Sequence, residues 1–245
     1  MVLMFCLFVV GCELSPEEKR GIIGSIEGFI GGVAVDEPRA ALVGRDVLAA
    51  GGSAADAAVA IYFTLAVTMP SHASLGSGGV CLVHDQKTGD VQLLDFLART
   101  PMVISPNASR PSAIPGSPRG MFALHARYGV LPWQKLVIPA ANLARFGTQI
   151  SRALASDFAA AREVLKIDPE ITSIFTSSKT GELAGEGEFL KQIDLSIILS
   201  RMGTDGPGDF YTGYGAKQFV DAVVKAGGSL RSDDLRTYQP VWKKP

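Results

Sequence analysis

Residues 44–60, GRDVLAAGGSAADAAVA, contain the end of one helix and the start of another. The first half continues a helical pattern over Ala40–Ala50, and the pair Gly51–Gly52 is typical of a helix stop. Ser53 suits the cap of the next helix, because Asp56 stands three residues later in the capping-box position. This stretch therefore predicts two consecutive helices joined by a tight turn.

The second of these helices, Ala54–Met69, is apolar nearly all round and is stopped by Pro70. A helix without a polar face is normally enclosed on all sides. A membrane-spanning helix needs about 20 residues, so this shorter segment is better interpreted as a core helix.

The surrounding sequence predicts strands first and helices later. Gly31–Val35 indicates a short strand that ends in a turn at Asp36–Pro38, and Val80–Val83 with Val91–Phe96 indicates a hairpin. Asn107–Pro118 is rich in proline and serine and is expected to be a loop.

Beyond that loop the pattern is mainly helical, with a short turn expected after Ser232 and a kink or division expected at Pro139. Because strands precede helices, we expect a layered α+β domain rather than a doubly wound sheet. The predicted helices are Arg119–Tyr128, Trp133–Phe146, Ser151–Leu165, Leu190–Met202 and Phe210–Ala226.

Composition excludes several classes of function. The 245 residues carry a net charge of −1 with scattered basic residues, so no nucleic-acid partner is expected. Cys6, Cys12 and Cys81 lack metal-ligand spacing, and the three histidines are widely separated. No metal site and no cofactor is expected, and Cys81, within an apolar run, is interpreted as a buried thiol.

The N-terminus resembles an export signal. Met1–Val10 is an uncharged apolar run, and Val9–Cys12 resembles a bacterial lipobox, in which the cysteine is lipidated after cleavage. We therefore interpret residues 1–12 as a signal and lipobox segment, 13–28 as a tether, and Cys12 as a lipidation site of a periplasmic or cell-envelope protein. The basic residues usual in a signal are missing, which leaves a buried strand or a wrong start site as alternatives.

No catalytic residue can be assigned within the chain. The glycine-rich loop Leu75–Gly79 precedes a strand rather than a helix, so close packing is a better interpretation than phosphate binding. Ser77 matches half of a nucleophile elbow, and His72 or His125 would have to serve as its base. Asp233 and Asp234 are adjacent and are expected to point apart.

Several blocks in one order resemble the γ-glutamyltransferase family. Each block is modest alone, but their order is specific and extends over residues 29–245. The principal blocks are Val33–Asp36, Gly44–Ala60, Ala66–Pro70, Asp95–Phe96, Ile114–Pro118, Pro139–Gly147, Asp209–Gly213, Gly227–Leu230 and Tyr238.

The resemblance implies an N-terminal nucleophile hydrolase with an αββα sandwich, present here in incomplete form with a helix-rich second half. Members of this family cut themselves to expose a threonine that attacks γ-glutamyl amides such as glutathione. That threonine lies on the small subunit, downstream of the motifs in this sequence. The resemblance thus implies a truncated large-subunit region that is inactive alone and has an apolar surface for the small subunit or missing C-terminal part.

One departure affects substrate binding. The family places an arginine for the donor α-carboxylate directly after the Asp-Phe pair, where this chain has Leu97. Arg99 follows two residues later and would share a strand face with position 97, so it is the candidate substrate-binding residue. The alternative is that Arg99 is an ordinary surface arginine.

Leu97 keeps two alternative functions open. One is a non-catalytic lipoprotein that uses the scaffold for binding, and the other is a relative similar to cephalosporin acylases with altered acyl specificity.

Overall fold

A computed structural model describes residues 31–177 and 179–245. The predicted signal segment 1–12 with Cys12, the tether 13–28 and the predicted start of the large-subunit region at residue 29 lie outside the described residues. In chain order the elements are α1 Pro38–Ala49, α2 Ala54–Thr68, β1 Val80–His84, β2 Val91–Asp95, α3 Ser117–Tyr128, α4 Trp133–Phe146, β3 Thr148–Gln149, α5 Arg152–Ala160, α6 Arg162–Leu165, α7 Pro169–Phe175, β4 Phe189–Leu190, α8 Ile193–Asp205, α9 Gly208–Thr212, α10 Tyr214–Lys225, α11 Ser232–Thr237 and β5 Val241–Lys243.

The start of α2 has the predicted capping box. Ser53 Oγ accepts the Asp56 N–H at 3.1 Å, and Asp56 Oδ2 accepts the Ser53 N–H at 2.9 Å. The same Oδ2 atom also accepts the backbone N–H groups of Val130 and Leu131 at 2.9 and 3.1 Å. Asp56 is fully buried, so one carboxylate ties the start of α2 to the loop that precedes α4.

The short strand predicted at 31–35 is wrong, because these residues form no strand and pair with none of the described strands. Val33 packs against the α1 and α2 helices instead, close to Gly44. The predicted turn at 36–38 begins α1: Glu37 Oε2 accepts the Ala40 N–H at 2.8 Å, and Pro38 is the first helical residue. Proline is favoured there because the N–H at the first position of a helix has no partner within the helix, so its absence costs no hydrogen bond.

The predicted hairpin is confirmed, and a third strand joins it. Strand β5, which sequence analysis missed, pairs antiparallel with β2, so the sheet order is β1-β2-β5. Cys81, Leu94 and Trp242 share the face that packs on the helices. The other face carries Leu82 and Leu93, together with residues such as Val80, Val91 and Val241.

Helix α2 lies at the centre of the helical layer and contacts α1, α3 and α4, while α4 also contacts α8. Helix α4 runs through Pro139 without division, because buried side chains on both sides of the proline, including Val137 and Ala140, pack into the core. Two-layer packing of helices on one side of a sheet gives the α+β arrangement expected from the sequence.

Two predicted helices are divided in the structure. The segment predicted as Ser151–Leu165 breaks at Ala161, which leaves the helical region with φ −94° and ψ 8°. The segment predicted as Phe210–Ala226 breaks at Gly213, because the Asp209 carboxylate accepts the Gly215 N–H at 3.2 Å and caps α10.

None of the helices in residues 31–177 and 179–245 has the length and hydropathy needed to cross a bilayer. Within the same residues, no group of three or more histidine, cysteine or acidic side chains is arranged to hold a metal ion.

We predict that Asp56→Ala lowers the free energy of unfolding by about 3 kcal/mol, because three backbone N–H groups lose the buried carboxylate that they share as acceptor. Chemical denaturation of the chain measures this change. Asp46→Ala, which removes an exposed aspartate of α1, is the control and should change stability by less than about 0.5 kcal/mol. Equal effects of the two substitutions would contradict the role of Asp56.

Candidate functional site

The end of β2 and the glycine-rich loop are packed together by glycines. A Cβ atom on Gly78 would lie 2.1 Å from the Ala98 nitrogen, and one on Gly116 would lie 1.9 Å from the Phe96 oxygen. Gly79 and Phe96 exchange two backbone hydrogen bonds of 3.2 and 2.9 Å. These contacts agree with the close-packing interpretation of the glycine loop.

Ser77 belongs to a cluster of hydroxyl groups. Its Oγ lies 2.7 Å from Tyr62 Oη and 3.1 Å from Ser117 Oγ, and it donates to the Ser74 carbonyl at 2.9 Å. Ser117 is fully buried, and its Oγ accepts the Tyr62 hydroxyl at 2.6 Å. This network joins α2, the glycine loop and α3.

The histidines considered as bases make other contacts. The His72 Nδ1 lies 3.0 Å from Ser71 Oγ and 3.4 Å from Asp157 Oδ2, whereas His125 Nε2 donates to the Leu131 carbonyl at 2.8 Å. Neither histidine hydrogen-bonds to Ser77. The described contacts therefore do not include the base that a Ser77 nucleophile would need.

Asp233 and Asp234 point apart, as expected. Asp233 Oδ1 pairs with Arg236 at 3.0 Å on the surface. Asp234 is buried, and its two oxygens accept the Met102 N–H at 3.0 Å and the Arg231 N–H at 2.9 Å. Asp234 therefore holds the chain that follows Arg99 against the start of α11.

Leu97 and Arg99 lie just beyond the end of β2. Leu97, at the position where the family pattern has arginine, is 50% exposed. Arg99 is also exposed, and its backbone makes an isolated antiparallel bridge with Ile114. The Arg99 guanidinium carbon lies 5.3 Å from the centroid of the Tyr238 ring. An exposed guanidinium stacked on an aromatic ring keeps donors available for a carboxylate.

Tyr238 is almost fully buried and joins both residues, because its hydroxyl donates to the Leu97 carbonyl at 3.0 Å. Burial raises the pKa of the Tyr238 hydroxyl, which keeps it protonated as a donor. Lys243 Nζ lies 2.6 Å from Asp95 Oδ2. This hydrogen bond, together with that from the Leu97 N–H, lowers the pKa of Asp95.

Arg119 is the supporting residue that sequence analysis missed. Its Nη1 donates to the carbonyls of Leu235 and Arg236, each at 3.2 Å, and to that of Tyr238, so it satisfies the C-terminal end of α11. Its guanidinium carbon lies 4.2 Å from the Tyr211 ring centroid. No sequence motif marks Arg119, because the carbonyl groups that its side chain binds belong to residues more than a hundred positions away.

Comparison with known proteins matches the chain to one protein family. A family model described as Gamma-glutamyltranspeptidase matches residues 40–245. The chain is 32% identical to glutathione hydrolase 3 of Arabidopsis thaliana over 225 residues, covering 87% of the chain and 35% of the relative. It is 34% identical to the glutathione hydrolase proenzyme of Escherichia coli strain K12 over 244 residues, covering 93% and 40% respectively. The chain thus spans well under half the length of these relatives.

The fold agrees with a solved structure, the γ-glutamyltranspeptidase of Helicobacter pylori. The TM-score is 0.82 with 31% identity, covering 89% of this chain and 66% of that chain. This match confirms the predicted fold class, an α+β fold of the N-terminal nucleophile hydrolase type.

We predict that Arg119→Gln lowers the free energy of unfolding by about 2 kcal/mol, because helix-terminal carbonyls lose a charged donor. Arg127→Gln on the same helix is the control: Arg127 stacks on Tyr128 and Trp242, so its loss should cost less than about 1 kcal/mol. Denaturant unfolding of both variants checks the difference, and a control as unstable as Arg119→Gln would contradict it.

Proposed function

Because the chain belongs to the γ-glutamyltranspeptidase family, we propose that it forms the front part of the large subunit of an enzyme that transfers or hydrolyses γ-glutamyl amides. The attacking threonine is supplied by a small subunit or C-terminal part outside this sequence. Glutathione and other γ-glutamyl compounds are the proposed substrates, and no cofactor takes part. The family match over residues 40–245 is the observation that carries this proposal.

The open face of the β1-β2-β5 sheet is an observation in favour of the proposed partner polypeptide. Val80, Leu82 and Val91 on this face are 49%, 64% and 43% exposed. An αββα sandwich covers such a face with a second sheet, and burial of apolar side chains drives that packing. The proposed occupant is the catalytic part that carries the threonine.

Arg99 is the proposed contact for the donor's α-carboxylate. A guanidinium pairs both carboxylate oxygens at once, which an exposed leucine at position 97 cannot do. Tyr238 stacks on Arg99 and holds the Leu97 backbone, so Arg99 is presented next to the position where the family pattern has arginine. Lys243 offsets the negative charge of nearby Asp95, which reduces repulsion of an anionic donor.

The two alternative functions raised by Leu97 are not favoured by the relatives reported above, which are glutathione hydrolases and a γ-glutamyltranspeptidase. Both alternatives predict that Arg99 has no role in binding a γ-glutamyl donor, so the function of this side chain separates them from the proposal.

The activity test joins residues 31–245, which include the Glu37 cap of α1, to the downstream part of the Escherichia coli glutathione hydrolase proenzyme. We expect the unjoined chain to release no chromophore from a γ-glutamyl anilide and the chimera to process itself and turn over the substrate. Arg99→Gln in the chimera should raise KM roughly tenfold or more, because a charge-assisted contact is lost.

Arg45→Gln is the matched control, since Arg45 is exposed and pairs with its neighbour Asp46. Leu97→Arg should lower KM by restoring the family's arginine. Activity of the unjoined chain, or equal KM values for Arg99→Gln and Arg45→Gln, would contradict the proposal.

Export with a lipid anchor is proposed for the N-terminus. Diacylation of Cys12 would hold the protein on a cell-envelope membrane through its buried methylene groups. Expressed in a bacterium with lipoprotein processing, the chain should lose residues 1–11 and gain the mass of a lipid on Cys12. Cys12→Ser should abolish both changes, whereas an intact N-terminus or an unmodified cysteine in the wild type would refute the assignment.

A further inference from the structure

Residues 148–177 and 179–190, here called the flap, leave the helical layer and return to it at one place. The two ends meet in the β3–β4 ladder, where Thr148 pairs with Leu190 and Gln149 with Phe189. The flap contains α5, α6 and α7 between these short strands. The flap is therefore an insertion that is joined to the helical layer through the β3–β4 ladder, here called the neck.

The flap has its own hydrophobic cluster. Ile150, Leu154, Phe158, Ala184 and Leu190 are buried against one another, with Phe175 and Leu165 packed beside them. These buried residues are separate from the main helical core and from the cluster around Tyr211. Apolar packing thus organises the flap internally.

The ion pairs between the described flap and the rest of the described chain share one polarity. Asp168 Oδ2 lies 3.1 Å from Arg110 Nη1, and Glu170 Oε1 lies 3.6 Å from Lys225 Nζ. In each pair the flap supplies the carboxylate. A third contact follows the same rule.

That third contact is made by Asp157 of α5. Its Oδ2 accepts the Ser71 hydroxyl at 2.6 Å and lies 3.4 Å from His72 Nδ1. Ser71 and His72 directly follow α2 and lead into the glycine-rich loop. Asp157 and Asp168 therefore contact two stretches that continue into the candidate site, one before the glycine loop and one after Arg99, while Glu170 contacts the end of α10.

The overall charges agree with these contacts. The flap sequence contains seven acidic and four basic residues, while the rest of the described chain contains thirteen acidic and seventeen basic ones. The flap is thus net negative and the surface that it contacts belongs to a net positive body. Attraction between exposed opposite charges weakens as salt shortens the Debye length from about 30 Å at 0.01 M to about 3 Å at 1 M.

The residues on either side of the neck have the features of a hinge. Gly147, at the end of α4, has φ +95°, and a Cβ atom there would lie 2.5 Å from the Phe189 ring. Gln192, just after β4, is anchored to the body because its N–H donates to the Ala144 carbonyl and its Nε2 to the Val67 carbonyl. The bend is therefore confined between Gly147 and Gln192.

We propose that the flap is a conformational device: a hinged element latched by Asp157, Asp168 and Glu170 against basic and hydroxyl groups of the body, which opens when salt is raised. The proposal stands on its own and does not depend on the proposed reaction. Its closure braces the loops on both sides of Arg99, and its release frees them.

The test compares two double variants of the full chain that each remove two positive charges. Arg110→Gln/Lys225→Gln removes cations that pair across the boundary. Arg152→Gln/Arg162→Gln removes cations that pair with Glu186 and Glu182 inside the flap. Both variants leave the flap acids, the Asp168 cap of α7 and the neck unchanged.

Flap position is read as the distance between spin labels at Glu163→Cys in α6 and Lys87→Cys in the hairpin turn, with the native cysteines replaced. Both sites are exposed. Hydrogen exchange of the flap and of α2, in chains that keep their cysteines, gives a second measure of release.

We expect wild type to show one short distance at about 0.01 M salt and an added longer distance at about 1 M. The boundary variant should show the longer distance already at low salt, with the open-to-closed ratio raised roughly two- to fivefold for each lost pair. The internal variant should behave as wild type.

Equal distance distributions for the two variants, or a distribution that salt leaves unchanged, would overturn the latch. So would hydrogen exchange in the flap that rises only together with exchange in α2, because that result indicates global unfolding rather than hinge opening.

Discussion

The structure depends on one buried carboxylate. Asp56 Oδ2 accepts N–H groups from Ser53, Val130 and Leu131, so the start of α2 and the loop before α4 share a single acceptor. Burying a charge is costly unless hydrogen bonds compensate it, and here three backbone donors satisfy Oδ2, while Oδ1 has no hydrogen bond and lies 3.8 Å from His125 Nε2. This clamp sets the position of the apolar helix around which α1, α3 and α4 are arranged.

From that helix the candidate site is built outward by close packing rather than by reactive groups. The Tyr62 hydroxyl reaches Ser77 and Ser117, and Gly78 and Gly116 let the glycine loop and the start of α3 approach the end of β2. Tyr238, held in turn by the carbonyl contact of Arg119, then supports Leu97 and Arg99. In the proposed function, the described chain provides the recognition surface and a partner polypeptide provides the chemistry.

Two kinds of interaction hold different parts of the molecule together. Apolar burial joins the helical layer to one face of the sheet, whereas the contacts described between flap and body are mainly charged or hydroxylic. Apolar packing is insensitive to moderate salt, while exposed ion pairs are weakened by it. A body of fixed shape can therefore carry an element whose position responds to ionic conditions.

Local patterns in the sequence were sufficient for the features that depend on neighbouring residues. The Ser53–Asp56 capping box, the apolar helix after it and the hairpin around Gly89 follow from short-range preferences, and the order of motifs identified the family. The prediction of a strand at 31–35 was wrong because Val33 packs on the helical core and not at the edge of a sheet. The segment 210–226, predicted as one helix, is divided in two because the Asp209 carboxylate accepts the Gly215 N–H at the start of α10.

Only the tertiary structure decided the long-range contacts. β5 joins β2 across more than a hundred residues, Arg119 reaches the end of α11, and Asp157 meets Ser71. Nothing in the local sequence marks these residues, because each interaction depends on where two distant segments are brought together. Sequence alone determined most of the helices, the β1–β2 hairpin and the family of the chain. Packing decided which side chains support Arg99 and hold the flap, since spatial proximity is a property of the folded chain.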